Sequence, residues 1–142
     1  MHQSIVRVNA RLVVRLPADW RDLTLLSRLP DNAHTRRWVQ GAPLPPPSPG
    51  QYKNSGWSLR SPADPEQTTP AESVRALLEQ LSDLAAFHEL PPGSDIYLHL
   101  AVTCSDRSAS VELSVADLAT LAKIGADCDI EVSFLGDPPP GL

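Results

Sequence analysis

The sequence predicts an α+β fold: a single domain with a mixed or mostly antiparallel sheet and helices on one face. Three observations carry this expectation. Apolar residues alternate over several short stretches with the period of two that marks a half-buried strand. Other stretches repeat at three and four residues and carry helix start and stop signals. The resulting order, β-α-β-β-α-β-β-α-β, alternates single crossovers with hairpins, whereas a doubly wound parallel sheet needs a helix after every strand. At 142 residues the chain suits one domain, placed over 1–136 with a Pro-rich tail at 137–142.

From Ser4 to Leu16, Val6, Val8, Ala10, Leu12, Val14 and Leu16 share one parity, and Arg7, Asn9, Arg11 and Arg15 share the other. This is a strand with one buried face, its polar side interrupted by Val13. Pro17 and Ala18 end it. Asp19 is placed to cap a short helix from Trp20 to Arg28, with Trp20, Leu23 and Leu26 inward, and Pro30-Asp31 form its exit turn. A short strand follows at His34–Val39. The segment GAPLPPPSPG at 41–50 is a loop, since its five prolines supply no backbone donors. SGWSLRS at 55–61 is a strand with Trp57 and Leu59 on one side, followed by a polar, Pro-rich connection to residue 70.

The strongest helix signal is Thr69-Pro70-Ala71-Glu72, which has the spacing of a capping box with Pro at the first helical position. Val74, Leu77, Leu78, Leu81, Leu84 and Ala85 continue it as one stripe, predicting a helix to about His88, before Pro91-Pro92-Gly93. Asp95–Cys104 alternates as a strand, with Ile96, Leu98, Leu100, Val102 and Cys104 on the apolar side. Ser105-Asp106-Arg107 reads as a turn into a further strand at Ser108–Leu113. Ser114 caps a helix from Val115 to Ile124, and Gly125 supplies its left-handed stop. The last strand, Asp127–Leu135, groups Cys128, Ile130, Val132 and Phe134.

The net charge of −5 conceals a division. Residues 1–60 carry nine Lys and Arg against three Asp and Glu; residues 61–142 carry three against fourteen. Such asymmetry marks either a charged binding surface or two halves that neutralise each other in one fold. Parity favours a structural share for the second alternative. Arg7, Arg11 and Arg15 line the polar face of the first strand, and Asp127, Asp129 and Glu131 that of the last. Opposite charges on nearby strands attract, so these strands are expected to be neighbours or to flank a common strand.

No apolar run approaches the roughly 20 residues of a membrane span, and the first ten residues do not follow a signal-peptide pattern. With two cysteines, the chain is not a disulfide scaffold. A cytoplasmic protein is therefore expected, with neither a membrane nor nucleic acid as partner; the net acidity and the lack of a basic cluster weigh against the latter. No metal-ligand spacing, nucleophile elbow, dinucleotide fingerprint or phosphate-binding loop occurs, so no catalytic residue, metal or cofactor is assigned. Cys104 and Cys128 fall on apolar strand positions, as core cysteines do. His88 suits a helix C-terminus.

The candidate binding residues are His34, Arg36, Arg37 and Trp38, where cations sit beside an aromatic, as at protein hot spots. Trp57 is expected in the core; Trp38 is open to either role. The alternative is a small-ligand binder or enzyme using His34 or His99 in a cleft. Self-association through an exposed strand edge is a third option.

LLSRLPDNAH, the short basic strand ending at Gly41, the SGW at 55–57, the AESVRALLEQL helix and LATLAKIGADCDIEVSFL together resemble, over about residues 10–135, a bacterial domain of unknown function of the DUF4279 type. The chain departs from that pattern at Ser27-Arg28-Leu29, where a glycine is usual, and in its longer proline loop. The resemblance implies a compact α+β domain and transfers no catalytic residue. It also suggests, by analogy, an immunity-like protein that engages another protein.

Overall fold

The computed structural model describes residues 4–106 and 110–135. Its five strands are β1 (Ile5–Arg15), β2 (Thr35–Trp38), β3 (Gly56–Arg60), β4 (Asp95–Cys104) and β5 (Asp127–Phe134), and its α-helices are α1 (Pro70–Leu78) and α2 (Val115–Lys123). Two 3-10 helices, Thr24–Arg28 and Leu84–Glu89, complete the order. The sheet runs β2-β3-β1-β4-β5. Its pairs are antiparallel except β4–β5, which is parallel. This is the expected α+β class, with the helices on one face.

Alternation along β1 builds the core. Val8, Ala10, Leu12, Val14 and Leu16 are buried beside Leu98, Leu100, Val102 and Cys104 of β4 and Trp57 and Leu59 of β3. Into this face α1 inserts Val74, Leu77 and Leu78, α2 inserts Leu121, and the second 3-10 helix inserts Ala86 and Phe87. Trp57 meets Phe87 edge-on at 6.4 Å and donates its indole N–H to the Pro30 carbonyl at 3.0 Å, so its one polar atom is satisfied inside the core. Val6 leaves the apolar row. The β1–β4 register shifts between Ile5 and Arg7, and the extra residue turns outward.

The capping box forms as the spacing dictates: the Glu72 N–H donates to Thr69 Oγ1 at 3.2 Å, and the Thr69 N–H donates to Glu72 Oε1 at 3.0 Å. These bonds hold the Glu72 carboxyl below its ordinary pKa. Ser114 caps α2 through a bond from the Asp117 N–H. The helices are joined by Arg75, whose Nε lies 2.9 Å from the buried Asp117 carboxylate. No helix among the described residues is long and apolar enough to cross a membrane.

Several expectations are corrected. The helix begun at Pro70 stops at Leu78 instead of His88. Ser82 and Asp83 favour bonds outside a helix, and the chain turns so that Phe87 reaches the core and Asp83 meets Arg28. The helix expected at Trp20–Arg28 is only the 3-10 turn from Thr24. Asp19 adopts a positive φ of 68° and exchanges bonds with Gln40 instead of capping a helix. Trp20, expected inward, is exposed, and its indole N–H donates to the Asp22 carbonyl. The strand expected at Ser108–Leu113 is absent over 110–113, and its first two residues lie outside the described residues. The place beside β4 is taken by β5, which arrives in parallel after α2. Cys104 is buried as expected, but Cys128 is exposed, because α2 turns Leu121 inward while Val115 and Leu118 face out, and the edge strand is left largely uncovered. Desolvation raises both thiol pKa values, with a nearby carboxylate adding to each, Asp106 at Cys104 and Asp129 at Cys128, so neither is an activated thiolate.

Candidate functional site

The sheet's other face carries no helix. Register places Arg36, Ser58, Val13 and Tyr97 in one row across β2, β3, β1 and β4, and Trp38, Gly56, Arg15 and Asp95 in the next. Val13, which breaks the polar parity of β1, is buried here, as is Ser58.

What closes over these rows is the proline segment. The Gly41 N–H donates to the Tyr52 carbonyl, the Tyr52 N–H to Ala42, and the Leu44 N–H to Gly50, folding residues 41–52 back on themselves. This returns Tyr52 above β2, where it stacks on Trp38 with centroids 5.7 Å apart and accepts a hydrogen bond from Arg36. The result is a groove of about 440 Å³ between the loop and the open face. Its floor is Val13 and Ser58, its aromatic walls are Trp38 with Tyr52 on one side and Tyr97 on the other, and Arg11, Arg15, Arg36 and Lys53 supply charge.

The three residues of SGW explain themselves at this point. Ser55 Oγ accepts the Gln40 N–H at 2.9 Å and fixes the end of β2. Gly56 is the seat of Trp38: a Cβ there would fall inside contact distance of both the indole ring and the Val14 carbonyl. Trp57 points the other way, into the core. One tripeptide therefore anchors both faces of the sheet.

The groove's electrostatics rest on what its cations lack. Among the described residues, no carboxylate pairs with Arg11, Arg15, Arg36 or Lys53, whereas Arg7 and Arg75 each meet one and Arg28 meets two. Arg15 and Arg36 instead lie over aromatic faces, 5.3 Å from the Tyr97 centroid and 5.9 Å from that of Tyr52. A guanidinium held by a ring keeps its N–H groups available to fork a carboxylate or phosphate.

Across the same face the sign reverses. The arginine strand β1 and the acidic strand β5 flank β4, as their parity predicts. In register, Arg11 stands opposite His99, which stands opposite Asp129. His99 Nδ1 lies 3.1 Å from Asp129 and Nε2 3.5 Å from Glu131. His99 thus belongs to the acidic side and not to the groove.

The four residues singled out from the sequence divide. Arg36 and Trp38 line the groove. Arg37, one residue on, is exposed on the opposite face of β2. His34 lines a separate cleft of about 260 Å³ with Arg7, Arg60 and Asp64, and its Nδ1 is buried without a hydrogen-bond partner. Missed from sequence were Arg11 and Arg15, read there as counterparts of the acidic strand; Lys53 and Tyr52, which follow a loop with no periodicity; and Tyr97. The polar parity of β1 and β4 was the available signal for three of them. Among the described residues no cluster of three or more His, Cys, Asp or Glu is placed to hold a metal. The chain matches no family model, no curated protein and no solved structure.

Proposed function

We propose that the protein is a non-enzymatic binding domain that docks an acidic surface of a protein partner in the groove on its open sheet face. The observation that carries this reading is the set of four cations that meet no carboxylate among the described residues, gathered around aromatic walls. Such groups attract and orient an anionic partner, and Arg, Trp and Tyr are the side chains that concentrate binding energy at interfaces.

Nucleic acid is disfavoured because an extended polyanion leaving the groove across the sheet would meet Asp127, Asp129 and Glu131. We further propose a bacterial cytoplasmic setting and, by analogy with the family the sequence resembles, an immunity-like role in which the groove covers an acidic patch of a harmful partner.

Affinity capture with the wild-type protein and an Arg15→Glu, Arg36→Glu double variant tests this, followed by titration of the purified partner at rising salt. Retention by the wild type alone, with affinity falling as salt rises, is expected. Equal retention by both overturns the reading. The unpartnered His34 Nδ1 favours a second reading, a small ligand in the lesser cleft. Shifts of the His34 ring resonances on NMR titration with inorganic phosphate would support it, and unmoved resonances would exclude an anion there.

A further inference from the structure

We infer that the groove recognises an aromatic side chain flanked by carboxylates, presented on an extended segment of the partner. This rests on the reading that the groove docks an acidic protein surface, and it specifies the segment.

Arg36 and Arg15 form two anion clamps, each backed by a tyrosine ring, and neither is in ion-pair contact with a carboxylate among the described residues. Between them the floor is Val13 and Ser58, one aliphatic and one small, and both buried. Arg36 and Tyr97 stand three strands apart in one row, roughly 14 Å at ordinary strand spacing. That span admits one flat ring on the floor with a charged group on either side. Leu44 and the Trp38–Tyr52 stack add apolar surface to one wall.

A wholly acidic segment would satisfy the clamps and leave the aromatic walls and Leu44 against water. A wholly apolar one would cover the floor and leave guanidinium groups desolvated without partners, which is costly. An aromatic residue between acidic ones satisfies both demands. The ring can stack on the guanidinium planes and the indole, while the flanking carboxylates take the forked N–H groups of Arg15 and Arg36 and the Lys53 ammonium. The acidic half of the sheet beyond His99 sets the limit on length, since a long run of carboxylates would reach Asp129 and Glu131.

Capped synthetic pentapeptides Glu-Glu-Phe-Glu-Glu, Glu-Glu-Ser-Glu-Glu and Lys-Lys-Phe-Lys-Lys are titrated into the full chain and followed by NMR shifts and tryptophan fluorescence. A thymidine pentanucleotide is titrated alongside. The Phe acidic peptide is expected to bind at least tenfold more tightly than the Ser peptide. Its shifts should centre on Val13, Ser58, Trp38 and Tyr97, and the basic peptide should not bind. Arg15→Gln and Arg36→Gln should each weaken the Phe peptide severalfold, and Tyr97→Ser should erase most of its advantage over the Ser peptide. Unchanged circular dichroism and melting would show these variants folded. Equal binding of the Phe and Ser peptides sinks the aromatic specificity and leaves the acidic-partner reading standing. Failure of both acidic peptides at millimolar concentration removes both, as does tighter binding of the oligonucleotide. Should Tyr97→Ser unfold, the Phe-to-Ser ratio on the wild-type protein decides the question alone.

Discussion

In the helical layer, Arg28 lies 2.7 Å from Asp83 and also meets Glu89, and Arg75 lies 2.9 Å from Asp117, which is buried. On the open face, Arg11, Arg15 and Arg36 have no carboxylate partner among the described residues, and two of them rest on tyrosine rings. The same residue type thus serves two purposes in one small domain. Where the chain must join helices to each other, guanidinium groups are consumed by internal carboxylates. Where a loop folds over an uncovered sheet, they are held in place and left unneutralised. Carboxylates are not scarce on that face; apart from Asp95, across from Arg15 at the start of β4, those on the strands are segregated to β5, with His99 between the two signs. That segregation, more than net charge, is what makes the groove a candidate site.

The largest expected effect falls on the paired side. Asp117 is buried and accepts two contacts from Arg75 Nε, at 2.9 and 3.2 Å. Asp117→Ala removes the carboxylate and leaves Arg75 only its 3.1 Å bond to Ser114 Oγ as a polar tie between α1 and the start of α2. Because the Arg75 side chain is half exposed, its charge regains water, and the loss falls below that of a fully buried pair, to about 2 kcal/mol. Urea unfolding with an unchanged m-value would measure it. A loss as small as that of a surface substitution would break the contrast, since the pairing would then contribute nothing.

Next is Gly56→Ala, which tests whether the groove wall is built or incidental. The added methyl would press on the Trp38 ring and on the Val14 carbonyl, and the carbonyl belongs to a paired strand that moves little. A cost of about 1–3 kcal/mol is expected, typical of overpacking. The NMR signals of the Trp38 indole should shift while those of Trp57 stay. If Trp38 keeps its environment, the indole is not seated on Gly56 as described.

The contrast also explains what could be read from the sequence. β1 was legible because one of its faces is dry and the other wet, so burial wrote a period of two into Val8 through Leu16. The Thr69–Glu72 cap was legible because both partners lie within one turn. The shared flank of the arginine and acidic strands followed from parity alone. The groove was not legible as a whole. Its lid is a proline segment that carries no period, and the placing of Tyr52 depends on bonds between Gly41, Ala42 and Tyr52 that no local pattern announces. The exposure of Cys128, Ile130 and Val132 escaped for a similar reason: alternation shows which residues share a face, not whether a helix covers it. The early end of α1 was hidden because Leu81 and Leu84 continue the apolar stripe into a segment that is no longer α-helical.

A smaller effect distinguishes the two sets of cations by pH. The Arg28 hydrogen bond holds the Asp83 carboxyl below its ordinary pKa, with backbone N–H groups of Ala86 and Ala85 assisting. A carboxyl depressed on folding stabilises the native state above its unfolded pKa, and that contribution is lost as pH falls through the folded value. The melting difference between wild type and Arg28→Ala should therefore be widest near neutrality and close in acid. Both groups are solvent-exposed, so the gap is small and shrinks with salt. An unchanging gap from neutral to acid pH would mean that Arg28 acts through packing of its alkyl stem instead.

The smallest effect on stability is expected where the effect on binding is largest. Arg15→Gln leaves no carboxylate of the described residues unpaired, because none of them is in ion-pair contact with it, and it lowers the repulsion among Arg11, Arg15, Arg36 and Lys53. Against this stands the loss of one cation–π contact with Tyr97, an exposed contact of about 0.5–1 kcal/mol. The two terms oppose each other, so unfolding free energy should change by no more than about 0.5 kcal/mol in either direction. The sign is informative. Added salt screens the repulsion among the groove cations, so wild type should gain more from moderate salt than Arg15→Gln does, and the two should converge. A clear destabilisation that salt does not alter would mean that Arg15 is a structural strut of the open face. In that case the two sets of arginines would differ only in their partners, one carboxylate and the other aromatic, and not in their availability to a ligand.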